Sequence, residues 1–130
     1  MRYILDTDTL SSIVKNNSSV IANLIKHEED EIYISAISYA EIFYGLEKKG
    51  SDKLFNKVNS IMGKLSIIDF DVSQSEFYGK IRVELEKSGT PIGDMDMLIA
   101  ASAFSIGAIL VSHNKKHFSK ISGLKIEDWC

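Results

Sequence analysis

Asp6, Glu41 and Asp96 each stand at the seam between a short apolar run and a longer helical pattern. Asp6 and Asp8 follow "YIL" in "YILDTDTL", and Glu41 lies in "ISAISYAEIFYGL". Asp94 and Asp96 are two apart in "PIGDMDMLIAASA", and Asn114 comes just after "AILVS". Carboxylates gathered without a neutralising cation repel one another. A hard divalent ion such as Mg2+ or Mn2+ takes oxygen ligands, keeps several waters and removes that repulsion. An acid set of this kind can activate water and neutralise charge developing on a phosphate.

Each acid taken alone has a plainer role. Ser38 and Glu41 have the S-x-x-E spacing of a capping box, and Asp94 suits the N-cap of a helix starting at Met95. Any acid in a first turn also complements the helix dipole. Asp6 is the hardest to explain this way, because it abuts an apolar strand where a charge needs a partner. Helical residues advance by about 100° each, so two helical acids two apart diverge by roughly 200°. Asp94 and Asp96 can share a site only if Asp94 stays outside the helix as its cap. That makes Asp96 the acid of the site and Asp94 its cap and an auxiliary group.

The elements that must position these residues follow from periodicity. Short β-branched runs at 2–5, 32–35, 66–69 and 108–112 read as strands, with an edge strand at 124–127. Between them, helical spacing marks about 8–16, 19–28, 38–49, 52–64, 73–88 and 95–106, with a short turn near 115–119. In the fifth of these, Phe77, Ile81 and Leu85 form the apolar stripe and Gly89 is the stop. Alternating strands and helices predict an α/β fold of one domain over residues 1–130, a mostly parallel sheet of four or five strands with helices on both faces. In such a sheet the strand ends and the following helix starts share one rim, where ligands bind. Several elements would therefore deliver acids to the same place.

Other chemistries are poorly supplied. The lone Cys130 excludes a disulfide within the chain and has no activating neighbours in sequence, which fits a reducing compartment. His27, His113 and His117 show no zinc spacing, and Cys130 does not complete one. His113 and His117, four apart, read as part of a solvated lysine-rich turn. Neither glycine-rich phosphate loop is present. Phe43 and Phe77 read as core, and Tyr44 as a lesser candidate for a partner groove. The apolar runs are too short to span a bilayer and no signal core precedes the first strand, so a cytoplasmic protein is expected. A net charge of −3 gives no bulk attraction to nucleic acid. Lysines do cluster, at 48, 49, 53 and 57 and at 115, 116 and 120, but such runs are usually solvated faces.

Four stretches in order, "YILDTDTLSSIVK", "ISAISYAEIFYGLEK", "PIGDMDMLIAASAFSIGAILVSHNKKHF" and "ISGLKIEDW", resemble the PIN-domain ribonucleases, especially VapC-type toxins of toxin–antitoxin pairs. The resemblance implies a three-layer PIN-like domain and a Mg2+- or Mn2+-dependent endoribonuclease that cleaves RNA, tRNA among the expected substrates, with a metal-activated water. It carries the catalytic, metal-holding positions onto Asp6, Glu41 and Asp96. The fourth acidic position of the family falls on Asn114, which brings no charge, and Asp8 stands where many relatives have asparagine, so the resemblance implies an auxiliary role for both. Lys115, Lys116 and Lys120 become candidates for holding the RNA backbone. A homodimer and a small antitoxin that blocks the acidic groove are implied as partners.

Three rival readings use the same residues. "DTDTL" approaches the D-x-D-x-T signature of haloacid-dehalogenase-type phosphatases, with Leu10 where that motif has threonine. A receiver-type signalling domain would need a phospho-accepting aspartate ending a central strand, for which Asp69 or Asp71 is on offer. A PIN fold that binds RNA without cutting it is the third, and Asn114 leaves room for it.

Overall fold

Strand β1 (Arg2–Leu5) is four residues long, and its side chains point alternately into two different cores, Tyr3 and Leu5 into one and Ile4 into the other. The computed structural model describes residues 1–130. After β1 come α1 (Thr7–Val14), α2 (Ser18–Lys26), β2 (Glu31–Ser35), α3 (Ala36–Lys49), α4 (Asp52–Met62) and β3 (Ser66–Ile68). The second half holds α5 (Val72–Ser88), α6 (Asp94–Ile106), β4 (Ile109–Val111), α7 (Lys115–Phe118) and β5 (Ile126–Glu127). All five strands are parallel, in the order β3-β2-β1-β4-β5. The expected edge strand is β5, and the fold is the α/β arrangement that the sequence pattern predicts.

The first core joins Leu10 and Ile13 of α1, Val20 of α2, Leu46 of α3 and Val58 and Met62 of α4 to one face of the sheet. The second joins Ile81 and Leu85 of α5 and Met97, Ile99 and Ala103 of α6 to the other. Burying one such aliphatic side chain contributes roughly 1.5–3 kcal/mol, so each layer is held by its own apolar stripe. Helix α6 has no polar face to speak of, because Met97 and Ile99–Ala103 are all buried. Its alanines leave room for α5 to pack close against it. Gly89 ends α5 in the left-handed conformation (φ 66°), as the sequence predicts, because a Cβ would disfavour that region.

Strand order reverses beside β1. The chain proceeds β1, β2, β3 toward one edge, while β4 and β5 lie on the other side. The seam between β1 and β4 is thus a topological switch point, and a crevice for ligands forms at its carboxyl end.

Several expectations are corrected by the structure. Helix α3 starts at Ala36, with Ser35 as its N-cap accepting from Ser38 N–H, so Ser38 and Glu41 form no capping box. Glu41 lies in the second turn. Asp94 is not an N-cap: Gly93 holds that position without a side-chain cap, and Asp94 and Asp96 are both in the first turn of α6. Asp6 itself is the N-cap of α1. Phe43 is 37% exposed, stacking on Tyr39 and meeting Phe55 edge-to-face at the surface rather than entering the core. Phe77 packs against the second core and stacks on Phe104, and Tyr44 is exposed. No helix is long and apolar enough to cross a membrane.

Candidate active site

Asp6 leaves β1 at the switch point and is only 4% exposed. Its backbone continues the sheet, Asp6 N–H donating to Val111 O at 3.0 Å. One carboxylate oxygen caps α1 by accepting from Thr9 N–H at 2.8 Å, and the other accepts from Ser112 Oγ at 2.6 Å. Burial pushes its pKa above the ordinary 3.8 and nearby Asp8 adds to the rise, while the hydrogen bonds from Ser112 and Thr9 oppose it. The result is a buried carboxyl held rigidly, with no cation beside it.

Glu41 projects from α3 toward the same rim and accepts from Thr7 Oγ1 at 2.6 Å. Thr7 Oγ1 in turn lies 3.1 Å from Ser38 Oγ, so the residue expected to pair with Glu41 reaches it through a threonine. Asp96, half-buried in the first turn of α6, lies 3.6 Å from His117 Nδ1. Asn114 follows β4, its side-chain nitrogen 2.9 Å from His117 Nδ1 and its backbone N–H donating to Ser112 Oγ at 2.9 Å. Short polar links therefore run from Asp6 through Ser112 and Asn114 to His117 and Asp96.

The two aspartates of α6 diverge as helical geometry requires. Asp94 meets Tyr78 of α5, whose hydroxyl lies 3.4 Å away and also accepts from Arg82. Asp94 takes no part in the linked set. Asp8 is exposed in the first turn of α1. Lys115, Lys116 and Lys120 are exposed; the first two sit on α7, the helix that also carries His117.

No ion pair involves Asp6, Asp8 or Glu41, and Asp96 meets only the histidine. The carboxylates of Asp6, Glu41 and Asp96 do not all come within 4.8 Å of one another, so no tight all-protein cage is formed. Wider spacing suits Mg2+ or Mn2+, which keep several waters between themselves and the protein. Uncompensated acids that supply oxygen donors alone fit such an ion. Beside Glu41, a groove of about 340 Å³ runs between α1, α3 and α4, with Lys15 and Lys49 on its walls.

Thr7, Thr9, Ser112 and His117 belong to the site but do not stand out in the sequence. The only hint is the hydroxyl residues directly beside the acids in "LDTDT" and the serine before Asn114 in "VSHN". The lysine-rich turn is solvent-exposed as expected, and its two histidines take different partners: His113 precedes α7 and meets Asp128, 2.9 Å away, while His117 lies beside Asn114 and Asp96.

The PIN domain family model matches residues 3–124. The chain belongs to the PIN-domain family. It is 34% identical over 131 residues to the tRNA(fMet)-specific endonuclease VapC of Salmonella typhimurium, covering 100% of this chain and 99% of that protein. It is 38% identical over 132 residues to Ribonuclease VapC2 of Rickettsia felis, covering 99% and 98%. Among solved structures, VapBC2 of Rickettsia felis bound to a promoter DNA fragment superposes over 100% of both chains, with a TM-score of 0.94 at 36% identity. DNA-bound VapBC of Salmonella typhimurium superposes over 100% of this chain and 99% of that one, with a TM-score of 0.87 at 33% identity.

Membership in this family displaces the phosphatase and receiver readings, and the geometry gives the reasons. Asp8 is exposed on α1, and the hydrogen bonds of the Asp6 carboxylate go to Thr9 and Ser112 instead. β3, which precedes Asp69, is an edge strand. Asp71 is occupied as the N-cap of α5 in a capping box with Gln74.

Proposed function

We propose that this PIN domain is a divalent-metal-dependent endoribonuclease of the VapC type, the toxin of a toxin–antitoxin pair, in which Asp6, Glu41 and Asp96 hold Mg2+ or Mn2+ beside a scissile phosphodiester. One observation carries the reading. Acids from three separate elements lie along the switch-point rim of a PIN fold, and no lysine or arginine pairs with them.

When bound, the ion makes a water nucleophilic at neutral pH and neutralises charge on the reacting phosphate. The protein's own contribution is to hold its carboxylates ready. Ser112 and the Thr9 amide fix both oxygens of Asp6, so this buried group cannot swing away when it is charged. Thr7 orients Glu41, and the first turn of α6 presents Asp96 to the rim beside His117. A carboxylate of this set takes the proton from the attacking water as general base. His117 and Asn114 close the far side of the rim, and the Asn114 amide orients a phosphate oxygen or water without adding charge.

Lys115 and Lys116 flank that side and hold the RNA backbone, an attraction that depends on salt and not on base sequence. Two comparisons support a tRNA substrate and an antitoxin partner: the Salmonella relative's name specifies tRNA(fMet), and the matching solved structures are VapBC assemblies. The groove leading from Glu41 is where a bound antitoxin would shield the acids.

The decisive experiment is cleavage of a tRNA pool with Mg2+, with Mn2+ and with a chelator, comparing wild type with Asp6→Asn and Asp96→Asn. The proposal expects cleavage only with metal and only by the wild type. Undiminished cleavage by both variants would end it.

A further inference from the structure

β4 and β5 pair in parallel, with Leu110 opposite Ile126 and Val111 opposite Glu127. The ladder continues one step further, Ser112 N–H donating to Glu127 O at 2.9 Å. The residues that follow leave the sheet side by side, His113 on one strand and Asp128 to Cys130 on the other. His113 Nδ1 lies 2.9 Å from Asp128 Oδ2. Ligand atoms of His113, Asp128 and Cys130 all fall within 4.8 Å of one another, and no other trio of His, Cys, Asp or Glu side chains converges this way. Spacing along the chain shows no zinc set for Cys130; the strand pairing brings its sulfur close to His113 and Asp128.

The segment carrying two of these groups is anchored. Trp129 is 2% exposed, its ring stacked on His27 with centroids 4.7 Å apart and tilted against Tyr3. Its carbonyl accepts from Ser19 Oγ at 2.8 Å and Asn23 Nδ2 at 3.3 Å. Asp128 and Cys130 therefore flank a fixed point. Burial pushes the Asp128 carboxyl up, but the Cys130 amide, His113 and the charge of Lys115 outweigh it and hold the group below its ordinary value. The carboxylate is ionised at neutral pH.

We propose that His113, Asp128 and Cys130 form a second metal site, for a borderline transition-metal ion of the Zn2+ class, with water completing the coordination. An imidazole, a carboxylate and a thiolate together suit Zn2+ or Co2+, whereas Mg2+ avoids sulfur. Tetrahedral bonds of about 2.0–2.3 Å place ligand atoms roughly 3.3–3.8 Å apart. The His113–Asp128 pair must open slightly and the sulfur must close in. Both movements are rotations of the exposed His113 and Cys130 side chains, and the Cys130 sulfur is otherwise held only by a weak interaction with Ser12 Oγ at 4.0 Å. Such a site would clip the strand that carries Ser112 and Asn114 to the β5 segment, independently of the acids at the rim.

The test is a Co2+ titration of the full chain, reduced and with Mg2+ in excess to occupy the acidic rim. One Co2+ per chain should bring up thiolate-to-cobalt absorption, which Zn2+ then bleaches. Cys130→Ser should abolish that absorption, and His113→Ala and Asp128→Asn should each weaken binding by at least about tenfold. Because the signal requires sulfur, ions at the rim cannot produce it, and it is read whether or not the protein cleaves RNA. Three results would overturn the proposal: no thiolate absorption, absorption undiminished in both His113→Ala and Asp128→Asn, or a stoichiometry of one ion per two chains.

Discussion

Ser112→Ala isolates the residue that couples the buried acid to the opposite side of the rim. The Ser112 hydroxyl is fully buried, donates to Asp6 Oδ2 at 2.6 Å and accepts from Asn114 N–H at 2.9 Å. Alanine keeps the packing and deletes both bonds. A hydrogen bond to a charged acceptor is worth about 1.5–3 kcal/mol. The Asn114 amide is only half-buried, so water recovers part of the second loss. A destabilisation of about 2–3 kcal/mol at neutral pH follows, a fall in Tm of roughly 5–10 °C for a domain of this size.

The pH dependence of that cost is the sharper test. Asp6 already titrates above 3.8 because burial outweighs its hydrogen bonds, and losing Ser112 moves it further up. A carboxyl with a raised folded pKa binds its proton more tightly in the native state. It therefore costs stability as pH climbs from its unfolded value through its folded one. The variant suffers this over a wider window, so its deficit is largest at neutral pH and shrinks in acid. Urea unfolding of both proteins at neutral pH and below 3.8 measures the difference. The acid limb of the cleavage profile should also move to higher pH. An equal deficit at both pH values, with an unmoved acid limb, would refute the role assigned to Ser112.

Asp96→Asn should abolish RNA cleavage while Asp94→Asn, whose carboxylate faces Tyr78, keeps most of it; equal losses in a tRNA cleavage assay would count against the division. Thr7→Val removes the donor to Glu41 and should lower kcat about tenfold or more, and Thr7→Ser should restore it, as steady-state kinetics will show. Trp129→Ala empties a buried site between Tyr3 and His27 and should cost about 3–5 kcal/mol in urea unfolding. Replacing Lys115 and Lys116 together with alanine should weaken RNA binding evenly across sequences. The slope of log K against log salt should fall by roughly 0.7 for each phosphate that the two lysines neutralise in the wild type.

What the sequence determined by itself was the set of elements and their order, because hydrophobic period depends only on which residues are neighbours in the chain. The strand "YIL", the stripe Phe77–Ile81–Leu85 and the stop at Gly89 all appear where their spacing puts them. The acids were legible too, since a charge beside an apolar run is visible without coordinates. Local capping was less so. The start of α3 shifted from Ser38 to Ala36, and Gly93 took the cap expected of Asp94, because several polar residues in each stretch were competent to cap. Only the tertiary structure decided which distant groups meet. Ser112 reaches Asp6 and Thr7 reaches Glu41 because parallel pairing of β1 with β2 and β4 brings their following residues to one edge. Asp94 and Asp96 were two candidates for one job in the sequence. The helix start at Asp94 and the packing of α5 and α7 on either side turned one toward Tyr78 and the other toward His117.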